Sequence, residues 1–513
     1  MQPSQPGSWE QLPPDVLARI ASMLDCNEVA ATFRGINKVA AVQFNDPKHT
    51  TVRLSQPVPP EAFATKWLAP GATRALTLKQ RRQLLCLTAA SGLVANLEVA
   101  LQAVGCPLTY QVFEAAAAAG KLESCQWLWE RDCPKSPKGE YASGFLAAAA
   151  GAGHQHVCEW LLSLDLFWAS DGAAEAAHGG HVGLMEWLQE RRPPMCLFDM
   201  DVTRLPKCAA YGCNLATLQR LWAGRGSVAT QDRKSAVLAE AVASPTSDWA
   251  AKVEWLEAQG CPLDGWMAQQ AAACPDAPAR LAWLRGRGFP LGQIAVSGAA
   301  EAGNLAALQY LLAEGTVSPQ EISERSVTTL AGRGHLTALQ AVHAAAGIWP
   351  DQLVRDAGLA AARAGNRHVL SWLVDTCGQN AVALDAELFM AAAESGSVEL
   401  LAWLRERGCP WHQPGDPGPY TRAARSGCEA ALEWLAERGC PMPDTGEPYL
   451  AAACLNGDLP TLRCLRRLGV PWGPAGMVLN LAARDAPLPI FYWLRDESGA
   501  PNVAAAVDAL EID

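Results

Sequence analysis

The feature that most constrains this chain is a self-similar unit of about 30 residues that recurs from about residue 86 onward. One copy runs from Ala423 to Pro441 and reads Ala-Ala-Arg-Ser-Gly-Cys-Glu-Ala-Ala-Leu-Glu-Trp-Leu-Ala-Glu-Arg-Gly-Cys-Pro; the copy before it occupies Ala392 to Pro410. Tryptophan fills one slot of the unit at Trp127, Trp160, Trp187, Trp255, Trp283, Trp372, Trp403, Trp434 and Trp493. Ala100, Arg220, Tyr310, Ala341 and Cys464 take that slot in the other units, giving 14 positions from 100 to 493, spaced 27 to 35 residues apart. A period in this range builds a stack of small supersecondary units, each resting on its neighbours. The 513 residues therefore do not divide into the three or four globular domains that length alone suggests.

Each unit reads as two short helices and a loop. An Ala-Ala pair sits on the first helix, where small side chains let neighbouring helices approach. A glycine follows after two intervening residues (Gly153, Gly180, Gly303, Gly334, Gly365, Gly396, Gly427), breaks that helix and turns the chain. The second helix carries apolar residues at helical spacing, as in Leu400, Trp403 and Leu404. Gly-Cys-Pro ends it at 105–107, 260–262, 408–410 and 439–441. Glycine suits the left-handed position after the helix, the next residue packs back, and proline forbids continuation. Gly288-Phe289-Pro290 and Gly469-Val470-Pro471 put another apolar residue where the cysteine stands, which assigns the cysteine a packing role.

These residues resemble ankyrin repeats. Gly153-His154, Gly180-His181 and Gly334-His335 match that family's Gly-His step, and Leu311-Leu312-Ala313-Glu314-Gly315 matches its later part. The family's Thr-Pro-Leu-His opening is missing nearly everywhere, with only Pro419 where its proline would stand. Tryptophan replaces the usual aliphatic, and Gly-Cys-Pro replaces Gly-Ala-Asp. The resemblance implies an all-α fold: an extended, curved α-solenoid of about 14 ankyrin-like helix-turn-helix repeats over residues 86–498, with 499–513 as a cap or tail. Helical pairs of another repeat class are the alternative.

Residues 9–44 do not repeat. Pro13 and Pro14 suit a helix start, and Val16, Leu17, Ile20 and Leu24 form an apolar stripe at helical spacing. Asp25-Cys26-Asn27 is a break with a capping candidate, after which Val29, Phe33 and Ile36 begin a second stripe. The stretch resembles an F-box through Leu12, Pro13, Asp15, Val16, Leu17, Ile20 and Leu24; Val29, Phe33, Arg34, Asn37 and Lys38 follow the second half loosely, without its tryptophan. The resemblance implies docking through Leu12, Pro13, Val16, Leu17, Ile20 and Leu24 onto the Skp-type linker subunit of a cullin-based ubiquitin ligase. The alternative is a helical cap on the first repeat. Residues 45–85 read as a linker, with a short strand at 51–54 and a helix from Leu76 to Leu87 that carries Lys79, Arg81 and Arg82 on a solvated face.

Of the 41 basic and 52 acidic residues, 10 and 6 lie in residues 1–85, which leaves a net charge of −15 for the rest. A surface of that sign repels phosphate backbones, so no nucleic acid is expected as a partner, and a protein is. The 17 cysteines are odd in number and scattered, with no CxxC pair, which fits a reducing compartment, cytoplasmic or nuclear. No apolar run reaches the roughly 18 residues of a membrane span, and Met1 to Ser8 lacks the pattern of a secretory signal.

No glycine-rich phosphate loop, Gly-x-Ser-x-Gly elbow, HExxH helix or kinase motif set is present. Cysteines at equivalent repeat positions sit on helices roughly 8–10 Å apart, too far to share zinc at about 2.3 Å per bond. No catalytic residue, metal or cofactor is therefore expected. The tryptophan slot reads as a ladder filling the inter-repeat core. Trp168, Trp349, Trp411 and Trp472 fall in the variable loops after second helices, where they are candidate contacts to a partner. The function these readings lead to is a protein–protein adaptor, the substrate-recognition subunit of a Skp–cullin–F-box ligase. A repeat scaffold without ligase connection is the alternative.

Overall fold

Glycine closes most of the helices, and the way it does so fixes the repeat. The computed structural model describes residues 12–136, 144–191, 203–223, 229–313, 322–411 and 418–498, apart from 165, 167, 169, 171 and 475. In it Gly260, Gly408 and Gly439 stand at φ of 77°, 79° and 72°. Both bonds of a Schellman cap form around Gly439: Cys440 N–H donates to Leu435 O at 3.0 Å and Gly439 N–H to Ala436 O at 3.2 Å. Cys261 and Cys409 repeat the longer bond, to Leu256 O and Leu404 O, each at 3.1 Å. Asp132-Cys133-Pro134 makes the same cap without glycine, with Asp132 at φ 50°. First helices end alike: Asn304 N–H reaches Ala299 O at 2.8 Å past Gly303, and Asn366 N–H reaches Ala361 O at 2.9 Å past Gly365.

Helix pairs follow one another from Leu78–Ser91 with Val94–Val104 to Met477–Asp485 with Leu488–Ser498. First helices pack on the first helices of neighbouring pairs: Trp266–Ala273 on Gln293–Ala302, Glu324–Arg333 on Asp351–Arg363, Ala386–Ser395 on Gly418–Ser426. The seams are built from small residues. Ala271, Ala272, Ala299, Ala300, Ala423 and Ala424 are buried, and a Cβ added to Gly298 would come within 2.2 Å of Gln269 O. Leucines of the second helices, such as Leu404, Leu432 and Leu435, fill the layer beneath.

The chain forms two compact units. The first comprises Met1–Thr73, Gln80–Gly172 and Leu188–Leu197; the second comprises Arg74–Lys79, Ala173–Trp187 and Phe198–Asp513. The first unit contains the non-repeating module, with helices Pro14–Ala21, Cys26–Ala31 and Lys38–Gln43. Its core is its own: Leu17, Ala21, Val29, Phe33, Ala40 and Phe44 are buried, with Leu12, Ile20, Leu24 and Ile36 packed around them. The apolar stripe of the first helix thus folds against the module's other helices. Leu17 is fully buried, whereas Pro13 is exposed and Val16 keeps 37% of its surface. The second helix opens with Asp25 N–H bonded to the Glu28 carboxylate at 2.9 Å.

Two local expectations change. Residues 51–54 form no strand: the Arg53 carbonyl instead receives the Asn27 side-chain amide at 2.8 Å, which fixes the segment as irregular chain. Arg81 is not on a solvated face. It is 1% exposed and donates to the Val104 carbonyl at 3.1 Å, at the end of the next helix. Residues 9–11 and 499–513, at the outer limits of the expected module and tail, lie outside the described residues. Among the described residues there is no β-strand, and no helix is long and apolar enough to cross a membrane.

Candidate binding groove

Because alanines and aliphatics face the seams, the polar residues of the first helices are left on one open face. Helix Glu324–Arg333 turns Val327, Leu330 and Ala331 inward; helix Asp351–Arg363 does the same with Val354, Ala357, Ala361 and Ala362. Ser323 and Asp385 anchor the neighbouring starts, accepting from Ser326 N–H at 3.2 Å and Leu388 N–H at 3.0 Å. The residues left outside form a groove of about 620 Å³ across three consecutive first helices, lined by Glu324, Arg325, Thr328, Thr329, Asp356, Leu359, Ala360, Arg363 and Glu387.

The charges in this groove are not all internally satisfied. Arg355, just beyond it, donates to Asp385 and Glu387, each at 2.8 Å, and these partners push its pKa up. Asp356 accepts from Gln352 at 3.0 Å. The guanidiniums of Arg325 and Arg363 have no hydrogen-bond or ion-pair partner among the described residues. With the Thr328 and Thr329 hydroxyls they offer donors to a ligand's anionic groups, over a floor of Leu359 and Ala360. No sequence signal marked these positions. Their register relative to the seam decides it, and that is visible only once neighbouring first helices are in place.

The loop tryptophans go elsewhere. Trp168 and Trp349 are 2% and 7% exposed. Trp349 meets His343 edge-on at 4.7 Å; Trp411 meets Phe389 edge-on at 5.3 Å beneath the Arg405 guanidinium; Trp472 stacks on Tyr449 at 3.9 Å. The loops fold back on the repeat core and spend their indoles there, so the four tryptophans form no common surface. In the recurrent slot, Trp127 and Trp403 are buried and Trp434 is half-buried. The arginine four residues on covers several of these rings, Arg131 at 3.8 Å, Arg407 at 4.0 Å and Arg287 at 4.5 Å from the ring centroids.

Several polar side chains at the hairpin turns serve the fold. His154 meets Ala118 O at 3.1 Å; Asn304 donates to Ala272 O and Cys274 O at 3.1 and 2.7 Å; Asn366 donates to Ala331 O and Gly332 O at 3.0 and 2.9 Å. Each ties one hairpin turn to helix-end carbonyls of the hairpin before it. Buried Lys252 does this with its ammonium, donating to Ala210 O at 2.7 Å and Cys213 O at 2.8 Å, and burial lowers its pKa to about 8. Arg280 reaches Val242 O in the same way. Burial raises the thiols of Cys409 and Cys440 to about 12, and Cys409 donates to Asp385 O at 3.0 Å. Among the described residues no group of three or more His, Cys, Asp or Glu could hold a metal ion. The described residues form a series of helical hairpins.

No family model and no curated protein sequence matches this chain. Among solved structures it is similar to the pentatricopeptide repeat protein PPR10 in complex with an 18-nt psaJ RNA element, at 10% identity and a TM-score of 0.31, over 98% of this chain and 77% of that one. It is also similar to the pentatricopeptide repeat protein PPR10 from maize, at 11% identity and a TM-score of 0.28, over 98% and 78%. These findings correct the reading of the sequence. The similar chains are pentatricopeptide rather than ankyrin repeats, and no F-box model matches the N-terminal helices. The assignments as ankyrin array, F-box module, Skp-linker docking site and ubiquitin-ligase adaptor are withdrawn. The exclusion of nucleic acid is withdrawn too, because one of these similar structures holds RNA. The physical reason for the first error is plain in the caps and seams. Ala-Ala, Gly-His and Gly-Cys-Pro do packing and capping work that any helical-hairpin repeat needs. Likeness at this level transfers no function, and the described residues stand as an all-α series of helical hairpins.

Proposed function

We propose that the chain is a non-catalytic binding scaffold that holds an extended ligand along its first-helix face. The observation that carries this reading is the groove in which Arg325 and Arg363, both without partners among the described residues, stand beside two threonine hydroxyls. Guanidiniums held on rigid helices and left unpaired bind carboxylate or phosphate oxygens with defined geometry. The carboxylates of Glu324, Asp356 and Glu387 along the same groove set where a ligand's donor groups lie. Regular hairpins with differing outward residues let successive units contact successive parts of one long ligand.

The test is fluorescence anisotropy with two labelled probes, an 18-nucleotide single-stranded RNA and a peptide carrying several Glu and Asp residues. At least one probe is expected to bind, and R325A/R363A to weaken it at least tenfold while the circular dichroism spectrum is retained. Binding of neither probe, or equal binding by the double variant, refutes the reading.

A further inference from the structure

One position of the first helix stays out of the core in five consecutive hairpins. It lies five residues before a fully buried seam residue, which is Ala271, Ala299, Leu330, Ala361 and Ala392 in turn. The helices that carry it, Trp266–Ala273, Gln293–Ala302, Glu324–Arg333, Asp351–Arg363 and Ala386–Ser395, pack each on the next. Trp266, Ile294, Arg325, Asp356 and Glu387 occupy the position, so two apolar side chains are followed by one cation and two anions. Trp266 keeps 61% of its surface and Ile294 47%. Among the described residues Trp266 is the only exposed tryptophan. A Cβ added to neighbouring Gly265 would come within 2.9 Å of Ile294 Cδ1, so the two helix starts adjoin and their apolar side chains extend the row beyond the groove.

The charged part of the row has both signs. The groove lining sets the carboxylates of Glu324, Asp356 and Glu387 against the guanidiniums of Arg325 and Arg363. Gln352 bonds to Oδ1 of Asp356, and Glu387 shares Arg355 with Asp385. An RNA strand carries an anion at every nucleotide, so a phosphate opposite Arg325 brings others against Asp356 and Glu387. The residues lining the groove include no aromatic ring on which bases could stack. A polypeptide can change sign from one residue to the next. Packed helices lie roughly 8–10 Å apart and an extended chain advances about 3.3 Å per residue, so roughly every third ligand residue meets the row. We propose, on the reading of the first-helix face as the binding face, that its ligand is an extended polypeptide segment presenting two apolar side chains, an acidic one and a basic one opposite Trp266, Ile294, Arg325 and Asp356. Burial of the apolar pair supplies affinity, and the order of the charges supplies selectivity, because a segment with the opposite order sets like charges against each other.

The experiment is fluorescence anisotropy on the full-length chain with blocked, labelled peptides in which Leu, Leu, Glu and Lys are separated by Gly-Ser pairs. They are made in that order and in reverse, since an extended segment can run either way. A control pair exchanges Glu and Lys, and an 18-nucleotide single-stranded RNA is the remaining probe. One peptide is expected to bind about tenfold more tightly than its Glu/Lys-exchanged counterpart, and R325E/D356K to invert that preference. W266S/I294S, at two exposed positions, is expected to weaken the preferred peptide about tenfold while the charge preference and the circular dichroism spectrum are retained. RNA bound through Arg325 and Arg363 with no peptide bound overturns the polypeptide assignment and leaves the binding face in place; failure of every probe removes both. Equal affinity for peptides with Glu and Lys exchanged, or unchanged binding by W266S/I294S, also overturns the proposal.

Discussion

Asp132 carries out with a side chain what glycine does at the equivalent helix ends. It holds φ 50° where Gly260, Gly408 and Gly439 hold 72° to 79°, and the cap that follows is the same. A left-handed backbone costs an L-residue roughly 1–2 kcal/mol, which the flexibility of glycine in the unfolded chain partly offsets. Asp132→Gly is therefore expected to stabilise by about 0.5 kcal/mol, and Gly439→Ala to destabilise by about 1 kcal/mol, both read from urea midpoints. Open space surrounds Gly439, so the second figure is backbone strain alone. Ionisation adds a pH signature at the same scale. Lys252 titrates near 8 folded against an ordinary 10.5, so the unfolded state binds more protons between these values and stability rises with pH there. The buried thiols act oppositely. Cys125, Cys133, Cys158, Cys409, Cys440 and Cys464 titrate near 12 folded against 9.0, so their contribution is complete below pH 9 and is lost as pH climbs toward 12. Chemical denaturation from pH 7 to 11 is expected to show a shallow rise past pH 8 and a fall above 9. Lys252→Met should abolish the rise and keep the fall.

The unit of cohesion among the elements is the bond from one hairpin turn to the helix end before it. Asn366 donates to two carbonyls at the end of helix Glu324–Arg333, Gly332 O and Ala331 O, the second of which also accepts from Gly334 N–H at 3.2 Å. Asn366→Ala is expected to cost about 1–2 kcal/mol, the penalty of leaving the Gly332 carbonyl unmet, and to speed amide exchange first in residues 324–346. The hairpins themselves were legible in the sequence, because glycine and proline punctuate them and a 3.6-residue apolar period fills them. The identity of the repeat class was not. Alanine seams and glycine caps answer to close packing and left-handed φ, which do not distinguish one hairpin family from another. The groove was illegible for a different reason: Arg325 and Arg363 look like any solvated arginines until the neighbouring first helices show that nothing within the described chain pairs with them. A loop position alone does not say where an indole turns: Trp349 packs edge-on against His343 and Trp372, and Trp472 stacks on Tyr449.

In the whole molecule, stability is passed from neighbour to neighbour. Trp403 is 4% exposed in the seam between its hairpin and the next. Trp403→Ala is expected to cost about 3–5 kcal/mol, but locally. Hydrogen exchange should quicken across residues 386–437 and remain slow across 266–313, since a repeat array loses cooperativity with distance. Equal deprotection of both stretches would show the second unit to unfold as one block.

Lys252 is the last lysine of the sequence, and it is fully buried on three carbonyl and hydroxyl acceptors. From Asp248 through the whole stretch that carries the groove, the folded surface therefore presents no lysine amine. Lysine acetylation, lysine methylation, ubiquitin transfer to lysine and ester-based labelling all need one. The groove is thereby out of reach of covalent marks written on lysine, and any such tag must be written on residues that precede it.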